Sequence, residues 1–173
     1  MSSALIYKPD SQDTVPNRFV VDAMLGKMAK WLRVLGADTL YTRLKSAEEI
    51  RRFMASGRIV ITKNRKWEKI EGIVCLEANR LDEQFAELAQ KIRTKFPEEL
   101  WFSRCVTCNE ILIEVDKHSI KGKVPEYVWN SMDEFSMCPS CLKIFWEGSH
   151  VGRMVEKACR LSKMFKNKEE VET

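Results

Sequence analysis

The chain has 173 residues, 45% hydrophobic and 31% charged, with a formal net charge of +4. That balance reads as a soluble, globular protein with a real core, or one core plus a small metal-held module. No apolar run is long enough to span a bilayer, and the first residues lack the positive stretch and apolar run of a signal peptide, so the expectation is a cytoplasmic protein without a membrane segment. A surplus of four charges is common and by itself indicates no nucleic-acid partner. Its placement says more: residues 1–100 hold 18 Lys and Arg against 14 Asp and Glu, whereas residues 101–173 hold 11 of each.

Residues 1–17 are polar, contain Pro9 and Pro16, and predict a flexible arm or an edge segment. Residues 18–22 form a short apolar run that ends in Asp22, which predicts a buried strand. The period then becomes helical. Leu25, Met28, Ala29, Leu32 and Leu35 make one face, Lys27, Lys30 and Arg33 another, and Gly36 suits the helix end. Residues 38–41 predict a second strand. Ser46 and Glu49 form a capping box for a helix over 47–55 that stops near Gly57. Residues 58–62 predict a third strand, 63–69 a basic helix or turn, and 73–76 a fourth strand. Residues 82–95 predict a helix with Phe85, Leu88, Ala89 and Ile92 inward. Strands alternating with helices point to a three-layer α/β domain over 18–96 with a mainly parallel sheet.

Pro97 marks a boundary, and a second unit spans 101–166. It holds Cys105-Val106-Thr107-Cys108 and Cys138-Pro139-Ser140-Cys141. Each pair has the spacing that lets two thiolates face one point, and two such pairs close a tetrahedral site around structural Zn2+. Two disulfides or scattered thiols are the alternatives, and reduced thiolates fit a cytosolic setting. Short strands over 111–115 and 141–146, joined by a polar loop through Lys121-Gly122-Lys123, make a small zinc ribbon that needs its metal to fold. A last helix starts near His150, and residues 167–173 are expected to fray. Cys75 and Cys159 read as small core residues.

In an open α/β fold the site lies beyond the carboxyl ends of the strands. Asp22 belongs there, either as a ligand of Mg2+ or Mn2+ or as a cap on the following turn. Asp38 starts the next strand and either is structural or reaches the same cleft. Lys27, Lys30, Arg33, Lys63, Arg65 and Lys66 either rim that cleft and meet phosphates or form a solvated face. Trp31 and Trp67 stack on bases if exposed and pack in the core if not. Ser149 reads as a helix cap. His150 stands against a phosphate, acts as a general acid, or pins the ribbon to the first domain. His118 reads as a solvated loop residue.

Residues 19–39, FVVDAMLGKMAKWLRVLGADT, resemble the opening of the Mut7-C family. So do Ser103–Asn109, Cys138–Cys141 and the segment from Ile144 to His150, and the likeness runs from about Phe19 to Met154. The resemblance implies a PIN-like domain fused to a C-terminal zinc ribbon, with ribonuclease activity and RNA as partner. It matches family acids to Asp22 and Asp38. Where the family has two further Asp residues, this chain has Ala47, followed by Glu48 and Glu49, and Asn64 after Thr62-Lys63. Glu48 is the candidate replacement, with Glu77 and Asp82 as others. Three functions follow. One is a metal-dependent endoribonuclease, with Asp22, Asp38 and Glu48 on the ion and Lys63 or Arg65 steadying developing charge. The others are a noncatalytic RNA-binding or ribonucleoprotein component and a protein-interaction module.

Overall fold

The computed structural model describes residues 17–148 and 151–165. Its first strand, β1 (Arg18–Asp22), is apolar at three successive positions, and the pleat sends them to opposite faces. Phe19 and Val21 enter one core and Val20 enters another. A strand buried on both faces must sit inside the sheet, and the order is β2-β1-β3-β4, with β2 (Asp38–Thr42), β3 (Ile59–Thr62) and β4 (Val74–Cys75). All three pairings are parallel. The expected α/β architecture with a parallel sheet is therefore present.

One face of the sheet is covered by α1 (Gly26–Val34), α3 (Leu81–Lys91) and α5 (Val151–Lys163). The other is covered by α2 (Ala47–Ala55) and a short turn that carries Trp67. Met28, Leu32, Phe85, Leu88 and Leu161 are fully buried in the larger core. Each contributes about 1.5–3 kcal/mol relative to exposure.

The predicted helix over 82–95 ends early, because Ile92 turns extended (φ −131°, ψ 152°). The extended segment carries Phe96 into the core, where its ring lies 6.3 Å from Phe19 and 5.0 Å from Phe165. Leu100 and Trp101 are buried as well, and Trp101 Nε1 donates to Phe96 O at 3.2 Å. The predicted boundary is thus a packed part of the first core. Gly36 (φ +84°) is needed here, since a Cβ at that position would collide with the Leu100 carbonyl. The last helix joins this core too, through Ala158 and Leu161.

The ribbon is a three-stranded antiparallel sheet of β5 (Ile113–Val115), β6 (Phe135–Met137) and β7 (Ile144–Phe145). Its strands are shorter than predicted. Residues 138–142 are taken up in a metal-type turn, closed by Leu142 N–H donating to Cys138 O and Cys138 N–H to Lys143 O. A short α4 (Glu126–Ser131) fills the loop before β6. Ile120, Val128 and Phe135 are the only members of the ribbon's buried cluster among the described residues, too few to hold a domain without metal. Cys75 and Cys159 are half-buried, and Cys159 packs against the larger core. No helix among the described residues is long and apolar enough to cross a membrane. The predicted arm and frayed tail, and Ser149 and His150, lie outside the described residues.

Candidate functional site

The sulfurs of Cys105, Cys108, Cys138 and Cys141 lie within 4.8 Å of one another. Thiolates about 2.3 Å from one zinc ion stand about 3.8 Å apart in a tetrahedron. Cys105 Sγ and Cys141 Sγ are 3.7 Å apart, too far for a disulfide, and all six cysteines are unpaired. The two knuckles repeat one backbone pattern. Asn109 N–H donates to Cys105 O and Leu142 N–H to Cys138 O, both at 2.9 Å. Cys108 N–H and Cys141 N–H point at the preceding cysteine sulfur, at 3.4 and 3.5 Å. Donors aimed at sulfur favour thiolates. The residues fit zinc: four soft donors, tetrahedral spacing and N–H groups on the ligands. Among the thiols, the Lys143 backbone N–H draws Cys141 down to about 7. The hydrogen bond to Cys141 pushes Cys108 up to about 12. Metal binding must displace the remaining protons, so acid weakens it.

The first knuckle is bolted to the start of β2. Arg33, 7% exposed, donates to Thr39 O at 3.0 Å and to Val106 O and Thr107 O at 2.9 Å. Arg104 donates to Gly36 O and Asn109 O. Asn109 donates to Asp38 Oδ1 at 2.7 Å and accepts from Thr39 N–H at 2.8 Å. Arg58 pairs with Asp38 Oδ2 at 2.8 Å and Arg18 at 3.4 Å. Burial works against the Asp38 charge, but hydrogen bonds from Arg58 and Asn109, with the Arg58 and Arg104 charges, hold its carboxyl below the usual range.

This placement corrects two expectations. Asp38 does not reach the cleft of Asp22. In the parallel register Arg18 faces Asp38 and Asp22 faces Thr42, so the two acids stand at opposite edges, roughly 13 Å apart along the ladder. Arg33 does not line a solvent-facing rim, because its guanidinium is enclosed between the sheet and the knuckle.

At the carboxyl edge, Asp22 is buried and its carboxylate is engaged on both oxygens. Oδ1 accepts from Ala23 N–H at 2.8 Å and Leu44 N–H at 3.4 Å, and Oδ2 accepts from the Thr62 hydroxyl at 2.6 Å. Thr62 Oγ1 in turn accepts from Asn64 N–H at 3.0 Å. The Asn64 side chain caps its own turn through Lys66 N–H. Ala47 opens α2 behind the Ser46 cap, which accepts from Glu49 N–H, but the Glu49 carboxylate accepts from Lys45 N–H rather than from the Ser46 N–H that the expected capping box requires. Glu48 is exposed on the first turn of α2. Glu77 pairs with Arg65 and Asp82 with Arg160. Among the described residues, the four cysteines are the one group of three or more His, Cys, Asp or Glu side chains gathered as metal ligands.

Cations gather in the loops of the same edge. The segments leaving β2, β3 and β4, residues 43–46, 63–68 and 76–80, carry six Lys and Arg against two Asp and Glu, while the first turns of α2 and α3 bring Glu48, Glu49, Asp82 and Glu83. Arg65 and Lys66 are exposed there, and Lys63 Nζ is tied to Ala78 O at 2.7 Å. Lys27 and Lys30 are exposed on α1. Neither tryptophan offers an open face. Trp67 is 7% exposed, with Lys66 Nζ 4.6 Å from its ring centroid. Trp31 is half-buried under Lys157 at 5.0 Å. The exposed aromatic here is Tyr41, which sequence reasoning read only as a strand residue. The ribbon differs in sign: residues 101–148 hold five Lys and Arg against seven Asp and Glu. A cleft of about 300 Å³ beside it is walled by Phe102, Phe145, Trp146 and Met154, with Arg104, Glu134 and Glu147 among its lining residues.

The model of the family described as Mut7-C RNAse domain matches residues 17–158. No curated protein and no solved structure gave a significant match.

Proposed function

The chain belongs to the Mut7-C RNAse domain family, and within it we propose a noncatalytic role: it binds RNA through the basic carboxyl edge of the parallel sheet and does not cut it. The observation that carries this reading is the state of Asp22. Its oxygens are engaged by two backbone N–H groups and a buried hydroxyl, and the two positions where the family pattern has further acids hold Ala47 and Asn64. A divalent ion at a phosphodiester needs several carboxylates to hold it and to offset its charge. One capped carboxylate supplies too little free charge to hold such an ion, and the exposed cations of the neighbouring loops give phosphate a place to bind.

Zn2+ in the cysteine site is structural in this reading, and its reduced ligands suit the cytoplasm. The cutting alternative requires Mg2+ or Mn2+ on Asp22 with Glu48 swung in beside it, and the protein-interaction alternative requires no RNA affinity at all. The test is fluorescence anisotropy with a labelled RNA over a salt series. The wild type is expected to bind with a steep salt dependence. Reversing Arg43, Lys45, Arg65 and Lys66 to Glu is expected to weaken binding at least tenfold and flatten the slope by roughly 0.7 per lost contact. Salt-independent binding, or none at low salt, contradicts the proposal.

A further inference from the structure

Tyr41 is 47% exposed, yet it is held firmly. Its hydroxyl donates to Ala23 O at 2.7 Å. Its ring lies against the first turn of α1 at Gly26, where a Cβ would stand 3.0 Å from the hydroxyl oxygen and 3.3 Å from Cζ. The bare glycine therefore gives the ring its seat. Met24, 64% exposed, follows the residue that accepts the hydroxyl. The ring is thus seated on Gly26 near the carboxyl end of β2 with about half of the residue's surface open to solvent. Cations lie close to it along the chain. Lys27 follows Gly26 in α1, Arg43 lies two residues past Tyr41 just beyond the end of β2, and Lys45 follows, all three exposed.

A rigid exposed aromatic beside cations is how proteins hold single-stranded nucleic acid: the base stacks on the ring and the phosphates on either side meet the charges. A duplex buries its base faces in its own stack and cannot use such a ring. We propose that Tyr41 is a stacking platform for an unpaired base, so that this edge selects single-stranded RNA, with Lys27 and Arg43 holding the adjoining phosphates. This inference rests on the RNA-binding reading above and names its substrate class.

The experiment uses the full chain with zinc and three probes. They are a 12-nucleotide RNA without self-complementarity, the same strand annealed to its complement, and the single strand carrying one 2-aminopurine. Wild type is expected to prefer the single strand by about tenfold and to quench the 2-aminopurine. Tyr41→Ala is expected to lose about tenfold in single-strand affinity and the quenching, with an unchanged salt slope, because the phosphate contacts remain. Tyr41→Phe keeps the ring and is expected to stay within about threefold of wild type, which separates stacking from a folding defect. Equal binding of single and double strands, or an unaltered Tyr41→Ala, overturns the stacking platform and leaves the RNA-binding reading standing. Absence of binding to any of the probes at low salt overturns both.

Discussion

The two edges of the parallel sheet put two aspartates of one sequence motif to different uses. At the amino edge Asp38 is surrounded by Arg58, Arg18 and Asn109 and joins the sheet to the zinc knuckle. At the carboxyl edge Asp22 caps a turn, clasps Thr62 and accepts from Leu44 N–H. At the first edge Asp38, Arg58, Arg33 and Arg104 meet partners that join the sheet to the knuckle. The second keeps Arg43, Lys45, Arg65 and Lys66 exposed, although Arg65 also pairs with Glu77 and Lys66 lies by Trp67. A charge that stays exposed is better placed for a ligand than one enclosed in a joint, and the proposed RNA-binding role assigns it an anionic one.

The largest effect that tests this contrast is metal removal. Zinc in small all-protein sites is worth on the order of 10 kcal/mol or more. Chelation, or Cys138→Ser, is expected to unfold the ribbon. Because Arg33, Arg104 and Asn109 tie the knuckle to residues 36–39, hydrogen exchange should also rise at β2. Rapid exchange confined to the ribbon would break the claim that the amino edge is a joint.

Asp38→Ala comes next. It leaves Arg58 largely buried without its carboxylate, and an expected loss of about 1–3 kcal/mol can be read by urea unfolding. RNA affinity should not change. The pH dependence has a defined sign. Because the folded carboxyl of Asp38 titrates below its ordinary value of 3.8, its contribution is complete above about pH 4 and is lost as pH falls through the folded value. Asp38→Asn should flatten that part of the acid limb.

The smallest effect concerns the second knuckle. Leu142 holds φ +59°, a conformation that costs a non-glycine residue about 1–2 kcal/mol. Leu142→Gly should raise stability by about 0.5–1 kcal/mol, part of the relief being offset by the glycine's freedom when unfolded. Asn109, at the matching position (φ +70°), should lose stability on the same change, because its side chain is a bond of the joint.

Much of the larger plan was legible. The spacing of the cysteines specified the metal site, and the alternation of apolar runs specified the strands around α1. What sequence could not supply was sidedness. Asp22 ends one strand and Asp38 begins the next, and in a parallel pair those positions are at opposite edges. The register makes this plain, but the motif places both acids within seventeen residues and suggests a shared cleft. Pro97 looked like a boundary, because the contacts that hold the chain there, Phe96 with Phe19 and Phe165, join residues distant in the chain. The left-handed turns at Asn109 and Leu142 lacked the glycine that usually announces them. Tyr41 was hidden because its role depends on the absence of a side chain at Gly26 on another element.

The most direct measurement incubates end-labelled single-stranded RNA with the zinc-loaded protein and Mn2+, comparing wild type with Asp22→Asn. The account predicts that both proteins retain the RNA and leave it uncut at every Mn2+ concentration. Cleavage by wild type that disappears in Asp22→Asn would contradict it.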